Sequence, residues 1–252
     1  MEFTHNRKSN AGTLSLGCST IKRPPSAINH YTSSATTMAI SIENHHLPYA
    51  THNLYDVKFF DDRIHTLVTH TSSIVNTWIA ETQQKLLQNN NHAQRPLIVG
   101  LDVEWRPNRF RRIKNPVATL QLSAGNDCLI FQLLHCLTGI PQSLHDFLSD
   151  MTYTFVGVGI ESDVKKLTED YELSVGNAVD LRGLAAEKLG DSRWKNSGVK
   201  RLAREVLGKE IEKPKRITLS RWDNVWLTPA QVQYACLDAF LSCKIGESLV
   251  AA

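Results

Sequence analysis

No window of the sequence approaches the roughly 20 consecutive apolar residues that a membrane-crossing helix needs, so a multi-span membrane protein is excluded and no membrane partner is expected. Cysteine is sparse and odd in number: Cys18, Cys128, Cys136, Cys236 and Cys243, with no C-x-x-C spacing. Neither a disulfide framework nor a zinc site is indicated, and reduced thiols in an intracellular protein are the simplest reading. The ten histidines are scattered and show no metal-ligand spacing. An excess of one charge is also lacking. Against 25 acids stand 28 Lys and Arg, a net charge of +3, so the distribution of charge must be read rather than its total. Internal repeats and a secretory apolar leader are absent as well. What remains is 252 residues, 42% hydrophobic and 21% charged, which is ordinary globular composition and long enough to bury a core without staples.

Residues 1–37 differ from the rest. They hold six Ser, six Thr, four basic residues (Arg7, Lys8, Lys22, Arg23) and a single acid, Glu2. Such a segment offers too little apolar surface to repay the entropy of ordering, which predicts a disordered leader ending before residue 53. Ser-rich, acid-poor composition also fits a transit peptide to plastid or mitochondrion. The alternative is a stretch upstream of a working start at Met38, with the protein in nucleus or cytoplasm.

From about Asn53 the pattern turns regular. Leu54–Phe60 and Arg63–Thr69 are predicted strands around an Asp61-Asp62 turn. A helix follows from Ser72 or Ser73, carrying Ile74, Val75, Trp78, Ile79, Leu86 and Leu87, and ends in the polar run Gln88–His92. Buried strands are expected at Leu97–Val103, Val117–Ala124, Cys128–Leu133 and Thr154–Ile160, with helices at 142–150, 162–171, 181–190 and 198–208. Thr228-Pro229-Ala230-Gln231 is a capping-box start with Pro at the first position, for a final helix reaching Leu249. Strands first, then strands mixed with helices, argue one α/β domain over about residues 53–250.

Three short segments carry the acids of interest. In Val99-Gly100-Leu101-Asp102-Val103-Glu104-Trp105, the two carboxylates are two residues apart at the end of a strand, so they share a face. Two like charges placed so repel each other and call for a cation; two acids where a strand meets solvent is the plainer account. In Val158-Gly159-Ile160-Glu161-Ser162-Asp163, Asp163 lies in the first turn of a helix, where an acid also simply suits the dipole. On the final helix Tyr234 and Asp238 are four apart on one face among Ala235, Ala239 and Phe240. A partly buried acid there needs a partner or a metal, and the tyrosine hydroxyl is one candidate partner. Asp180 is read as a helix cap.

In order and context these segments resemble the three exonuclease motifs of the DEDD superfamily. Tyr four residues before the last Asp matches the DEDDy subtype, while Gln233 stands where the His subtype has its histidine. Leu207-Gly208-Lys209 and Trp222…Leu227-Thr228…Gln231…Tyr234-Ala235…Asp238-Ala239 are similar to the Werner-syndrome-like 3′–5′ exonucleases, their stand-alone plant relatives in particular. Cys236-Leu237 depart from the smaller residues often found before that Asp. The resemblance spans about 53–250. It implies a ribonuclease-H-like exonuclease fold, α/β with a mixed central sheet flanked by helices. It further implies a 3′–5′ exonuclease that releases nucleoside 5′-monophosphates by a two-metal mechanism. Asp102, Glu104 and Asp238 would bind one Mg²⁺ or Mn²⁺, Asp102 would bridge to a second ion, and Asp163 would hold that ion through water. Hard cations suit such oxygen ligands. Tyr234 would orient the attacking water.

Two basic runs point to a nucleic-acid partner. Arg106, Arg109, Arg111, Arg112 and Lys114 follow the first motif with no acid before Asp127. Residues 193–221 hold ten Lys or Arg, among them Lys200, Arg201, Lys213, Lys215 and Arg216, against three Glu. Phosphate contacts need clustered charge of this kind. Trp105, Trp222 and Trp226 are candidates for stacking on bases, and core packing is expected of at least one of Trp222 and Trp226. Single-stranded RNA or DNA with an accessible 3′ end is the expected substrate. Relatives of this size include ring-forming exoribonucleases, which raises a homo-oligomer as a further partner. The rival from another class is a catalytically idle nucleic-acid-binding or scaffold protein on the same fold; an endonuclease on it is a third reading.

Overall fold

The computed structural model describes residues 40–89, 96–108 and 114–251. The leader over 1–37, the loop residues 90–92 and three of the candidate basic residues, Arg109, Arg111 and Arg112, lie outside the described residues. Eight strands alternate with seven α-helices in the described part: β1 Ile40–Asn44, β2 His52–Phe59, β3 Asp62–Thr69, α1 Ser72–Asn89, β4 Leu97–Trp105, β5 Val117–Ala124, β6 Asp127–Phe131, α2 Gln142–Ser149, β7 Tyr153–Gly157, α3 Ile160–Tyr171, β8 Ala178–Asp180, α4 Leu181–Lys188, α5 Val199–Leu207, α6 Lys215–Thr218 and α7 Pro229–Ala251.

The strands form one sheet in the order β1-β2-β3-β6-β5-β4-β7-β8. Pairing is antiparallel through β1–β2–β3 and β6–β5–β4, and parallel at β3–β6, β4–β7 and β7–β8. The sheet is therefore mixed and flanked by helices, as the ribonuclease-H-like resemblance implies. Alternation along β4 sorts its residues between two cores. Val99, Leu101 and Val103 face α1, α2 and α3 through Val75, Trp78, Leu144, Phe147 and Leu167. Ile98 faces the other way, into the core built by α4, α5 and α7. With a side-chain period of two, Gly100, Asp102 and Glu104 share the α7 face.

Differences from the sequence reading have local causes. Ahead of the expected start at residue 53 stands β1, a five-residue edge strand in which Ile40, Ile42 and Asn44 are half-buried and none is buried, too short and too weakly patterned to register. β4 runs two residues past Val103, to Trp105, which keeps Glu104 inside the strand; a register shift falls between Glu104 and Trp105. The strand expected to reach Ile160 stops at Gly157, because Gly159 turns the chain at φ 81° and Ile160 opens α3. Three-residue β8 and four-residue α6 are below what periodicity can detect.

Helix α7 is buried almost all round, the signature of a helix inside a core rather than on it. Its start is fixed reciprocally: the Thr228 amide donates to Gln231 Oε1 at 3.0 Å, and the Gln231 amide donates to Thr228 Oγ1 at 3.3 Å. Its close approach to β4 depends on missing side chains. A Cβ on Gly100 would collide with the Ala239 carbonyl oxygen and stand 2.8 Å from the Cys243 amide nitrogen. One on Gly246 already lacks room against Val156, 2.9 Å away. Because α7 lies this near the sheet, Asp238 is carried to the strand that bears Asp102 and Glu104. Gly100→Ala should therefore cost about 1–3 kcal/mol through overpacking, a fall of several degrees in Tm by calorimetry; an unchanged Tm would show that α7 yields without strain.

Candidate active site

Asp102 and Glu104 project from the end of β4, and Asp238 from the middle of α7. Carboxylate oxygens of these three residues lie within 4.8 Å of one another. Glu104 and Asp238 are only 9% and 6% exposed. Burial, then Asp238, Glu104 and Asp163 in turn, hold the Asp102 carboxyl well above the usual carboxylate range, with Lys213 opposing. Burial and Asp238 push Glu104 up to about 9. Asp238 is raised by burial and drawn back by Lys213 and by a hydrogen bond from Tyr234. Crowding of acids in a poorly solvated pocket thus opposes their ionisation.

Asp163 stands beside this trio rather than within it. It lies in the first turn of α3 and is buried, whereas its neighbour Glu161 points to solvent. Of the two acids it is therefore Asp163 that faces inward. Burial and then Asp180 lift its carboxyl to about 7, against Arg182. Asp180 caps α4, as the sequence predicts, and does more. It accepts from the Arg182 amide at 2.9 Å, from the Arg182 guanidinium at 2.6 Å and from the Gly159 amide at 3.2 Å. The last bond ties the start of α4 to the left-handed glycine that launches α3, so it helps to set where Asp163 points.

Tyr234 shares the α7 face with Asp238. Its hydroxyl oxygen accepts from Thr218 Oγ1 at 3.0 Å, which leaves the phenolic proton for Asp238. Burial and then Asp238 raise its pKa. Thr218 belongs to α6, and no motif in the sequence marks it; its relevance depends on where that short helix folds. Trp222 is wholly buried and donates its indole N–H to the Thr218 carbonyl at 3.2 Å. Base stacking is thereby corrected to packing for this residue, because no face of the ring reaches solvent. The two unusual residues before Asp238 are accommodated in the core: Cys236 is buried and accepts from Thr66 Oγ1 at 3.1 Å, and Leu237 is buried.

The expected nucleic-acid contacts separate into groups. Trp105 is half-buried with the Lys166 ammonium 5.2 Å from its ring centre. Arg106 is ion-paired to Asp223 at 3.0 Å, which Arg221 also holds at 3.2 Å. Lys200 pairs with Glu212 at 2.9 Å, and Arg201 lies over the Trp194 ring at 4.5 Å; both are exposed. Lys215 and Arg216 are exposed on α6. Lys213 differs from all of these: it points into the acids, 2.6 Å from Asp238 Oδ2. A cleft of about 220 Å³ is lined by Asp102, Val158, Lys200, Lys213, Asp238 and Ser242, among others.

The donor set suits a hard divalent cation. The candidate donors are all carboxylate oxygens, they converge from two separate elements, and the Lys213 ammonium leaves Asp102 and Glu104 still raised above the ordinary carboxylate range.

Residues 77–251 match the profile of a 3′–5′ exonuclease domain family, a span that includes Asp102, Glu104, Asp163, Tyr234 and Asp238. The chain is similar to an Arabidopsis thaliana protein named 3′–5′ exonuclease, 39% identical over 169 residues, covering 66% of this chain and 57% of that one. It is similar to the Drosophila melanogaster exonuclease 3′–5′ domain-containing protein 2, 34% identical over 169 residues, 67% of this chain and 28% of that one. The Mus musculus bifunctional 3′–5′ exonuclease/ATP-dependent helicase WRN is 34% identical over 154 residues, 60% of this chain and 11% of that one. The chain thus spans little more than half of the plant relative and a smaller part of the animal ones. Among solved structures, the EXD2 exonuclease domain soaked in Mn aligns with a TM-score of 0.42 at 28% identity, over 74% of this chain and 89% of that one.

The raised carboxyls fix the direction of a pH effect. Glu104 titrates near 9 when folded, against an ordinary 4.5, so the folded state binds the extra proton between these values and unfolding releases it. Its stabilising contribution is full below the unfolded value and lost as pH rises through the folded one. In EDTA, Tm should fall between pH 6 and pH 9, and Glu104→Gln should flatten that fall. A slope that is the same in both proteins would show that Glu104 ionises freely.

Proposed function

The chain belongs to the 3′–5′ exonuclease family, and on that premise we propose that it removes nucleotides from the 3′ end of a nucleic-acid strand with the help of Mg²⁺ or Mn²⁺. The observation that carries this reading is the convergence of Asp102, Glu104 and Asp238, with oxygens within 4.8 Å of one another. These three would hold one ion; Asp102 would be shared with a second, which Asp163 would hold through water. Bound there, two divalent ions stabilise the charge on the attacking and leaving oxygens of an in-line displacement at phosphorus.

The chain's own residues have defined tasks in that displacement. Tyr234, its oxygen engaged by Thr218, presents its proton at the carboxylate edge where the attacking water must lie. Its hydroxyl orients that water and has no need to ionise. Burial among apolar side chains of α7 holds Asp238 in place, while Asp102 lines the cleft. Trp105, Lys200, Arg201, Lys215 and Arg216 offer one aromatic ring and four cations to a strand approaching the cleft, which supports a nucleic-acid substrate. Single-stranded RNA or DNA, or a duplex with an accessible 3′ end, is the substrate class, and nucleoside 5′-monophosphates are the products.

Digestion of matched 5′-labelled RNA and DNA oligonucleotides with Mg²⁺ or Mn²⁺ tests the proposal. A ladder shortening from the 3′ end, abolished by EDTA, is expected. Asp102→Ala or Asp238→Ala should slow it about a hundredfold or more with the fold retained. Tyr234→Phe should slow the chemical step by roughly a hundredfold while sparing Mn²⁺ binding. Wild-type rates in Asp102→Ala would refute the assignment. Binding without nucleotide release would favour an idle nucleic-acid-binding protein, and cleavage of a circular strand would favour an endonuclease.

A further inference from the structure

Lys213 lies in residues 208–214, a stretch without regular secondary structure between α5 and α6. Its ammonium stands 2.6 Å from Asp238 Oδ2 and 4.8 Å from the centre of the Tyr234 ring. The Asp238 side chain is 8% exposed and that of Lys213 29%, so the lysine reaches the acids from the solvent side. Among the described residues it is the cation ion-paired to the cluster of Asp102, Glu104 and Asp238. Burial works against its charge, yet Asp238 and Asp102 outweigh burial. Its neighbour across the cleft, Lys200, is engaged elsewhere, with the exposed Glu212.

We propose that Lys213 is the resident counter-cation of the carboxylate pocket, that a divalent ion displaces it from Asp238, and that the freed ammonium takes a phosphate of the substrate strand in the cleft it shares with Lys200. The inference rests on the reading of the acid cluster as a metal site.

The physical ground is competition for one oxygen. A divalent ion on a carboxylate sits about 2.0–2.6 Å from its ligand oxygen. An ammonium already 2.6 Å from Asp238 Oδ2 would then stand within a few ångströms of that ion. Two cations so close in a poorly solvated pocket repel strongly. The divalent ion brings twice the charge to three acids, so the ammonium yields. Lysine is suited to yielding, because its charge rides on a flexible four-carbon stem with donors that rotate freely. The cleft of about 220 Å³ gives it somewhere to go. Exchange of a carboxylate for a phosphate oxygen keeps the ammonium paired throughout. It also couples the two ligands, since each binds more tightly once the other has drawn Lys213 to its new place.

Titration calorimetry of Mn²⁺ into the full chain, without nucleic acid, tests the first half. Lys213→Met removes the competitor and keeps the bulk of the stem, and should tighten Mn²⁺ binding about tenfold or more. Lys213→Gln should do the same, and serves if the methionine variant fails to fold. Equal affinities in wild type and variants overturn the counter-cation role, because a lysine that merely supports the fold would not oppose the metal. Absence of Mn²⁺ binding in wild type and variants alike overturns the metal-site reading itself, and a control with Asp102→Ala separates site binding from adventitious binding. The second half is read by fluorescence anisotropy of a labelled oligonucleotide in EDTA and in Ca²⁺. The gain in strand affinity on adding Ca²⁺ should be larger in wild type than in Lys213→Met; equal gains overturn the transfer to phosphate.

Discussion

Mutual repulsion among carboxylates that the fold forces together governs this molecule. Asp102 and Glu104 are set on one face by the pleat of β4, and Asp238 is brought opposite them by α7. Left in water, the three would separate or stay fully hydrated. Here the chain between and around them is packed on both faces, so they can do neither. Full ionisation of the pocket is costly without a cation, so the acids hold their protons more tightly, and a divalent cation is what would offset that cost.

What forces the acids together is close packing of the backbone. Gly100 and Gly246 have no room for a side chain, and each marks a point where helix and sheet approach closely. Gly100 lies two residues before Asp102 and faces Ala239, the residue after Asp238. A close approach of β4 and α7 thus lies next to the acids on both elements. Packing and chemistry are coupled at this spot: a change that loosens the helix also loosens the cluster.

A second layer of residues orients the charged ones. Asp180 binds Arg182 and the Gly159 amide together, and thereby ties α4 to the turn that starts α3 and carries Asp163. Thr218 fixes the Tyr234 hydroxyl from a helix of four residues. Lys213 balances Asp238 from a loop. Each support comes from a short or irregular segment, while the acids themselves sit on long elements. Rigid elements place the carboxylates, and short segments tune them.

Much of this was legible in the residues. The buried-strand pattern of Val117–Ala124 marked β5, the capping box marked the start of α7, and the three motifs marked Asp102, Glu104, Asp163, Tyr234 and Asp238 through spacing and resemblance. Those features depend on neighbours within a few positions along the chain, which the sequence itself contains. Other features were out of its reach. The basic run over 193–221 looks uniform in sequence, yet Lys213 turns inward to an acid 25 residues away while Lys215 and Arg216 face outward. Trp222 looks like a stacking residue and is wholly buried. The sequence by itself determined which groups are charged and which share a face of one element. Only the tertiary structure decided which of those charges meet and how they are balanced, because electrostatic energy depends on separation through space and on local solvation, and neither is written along the chain.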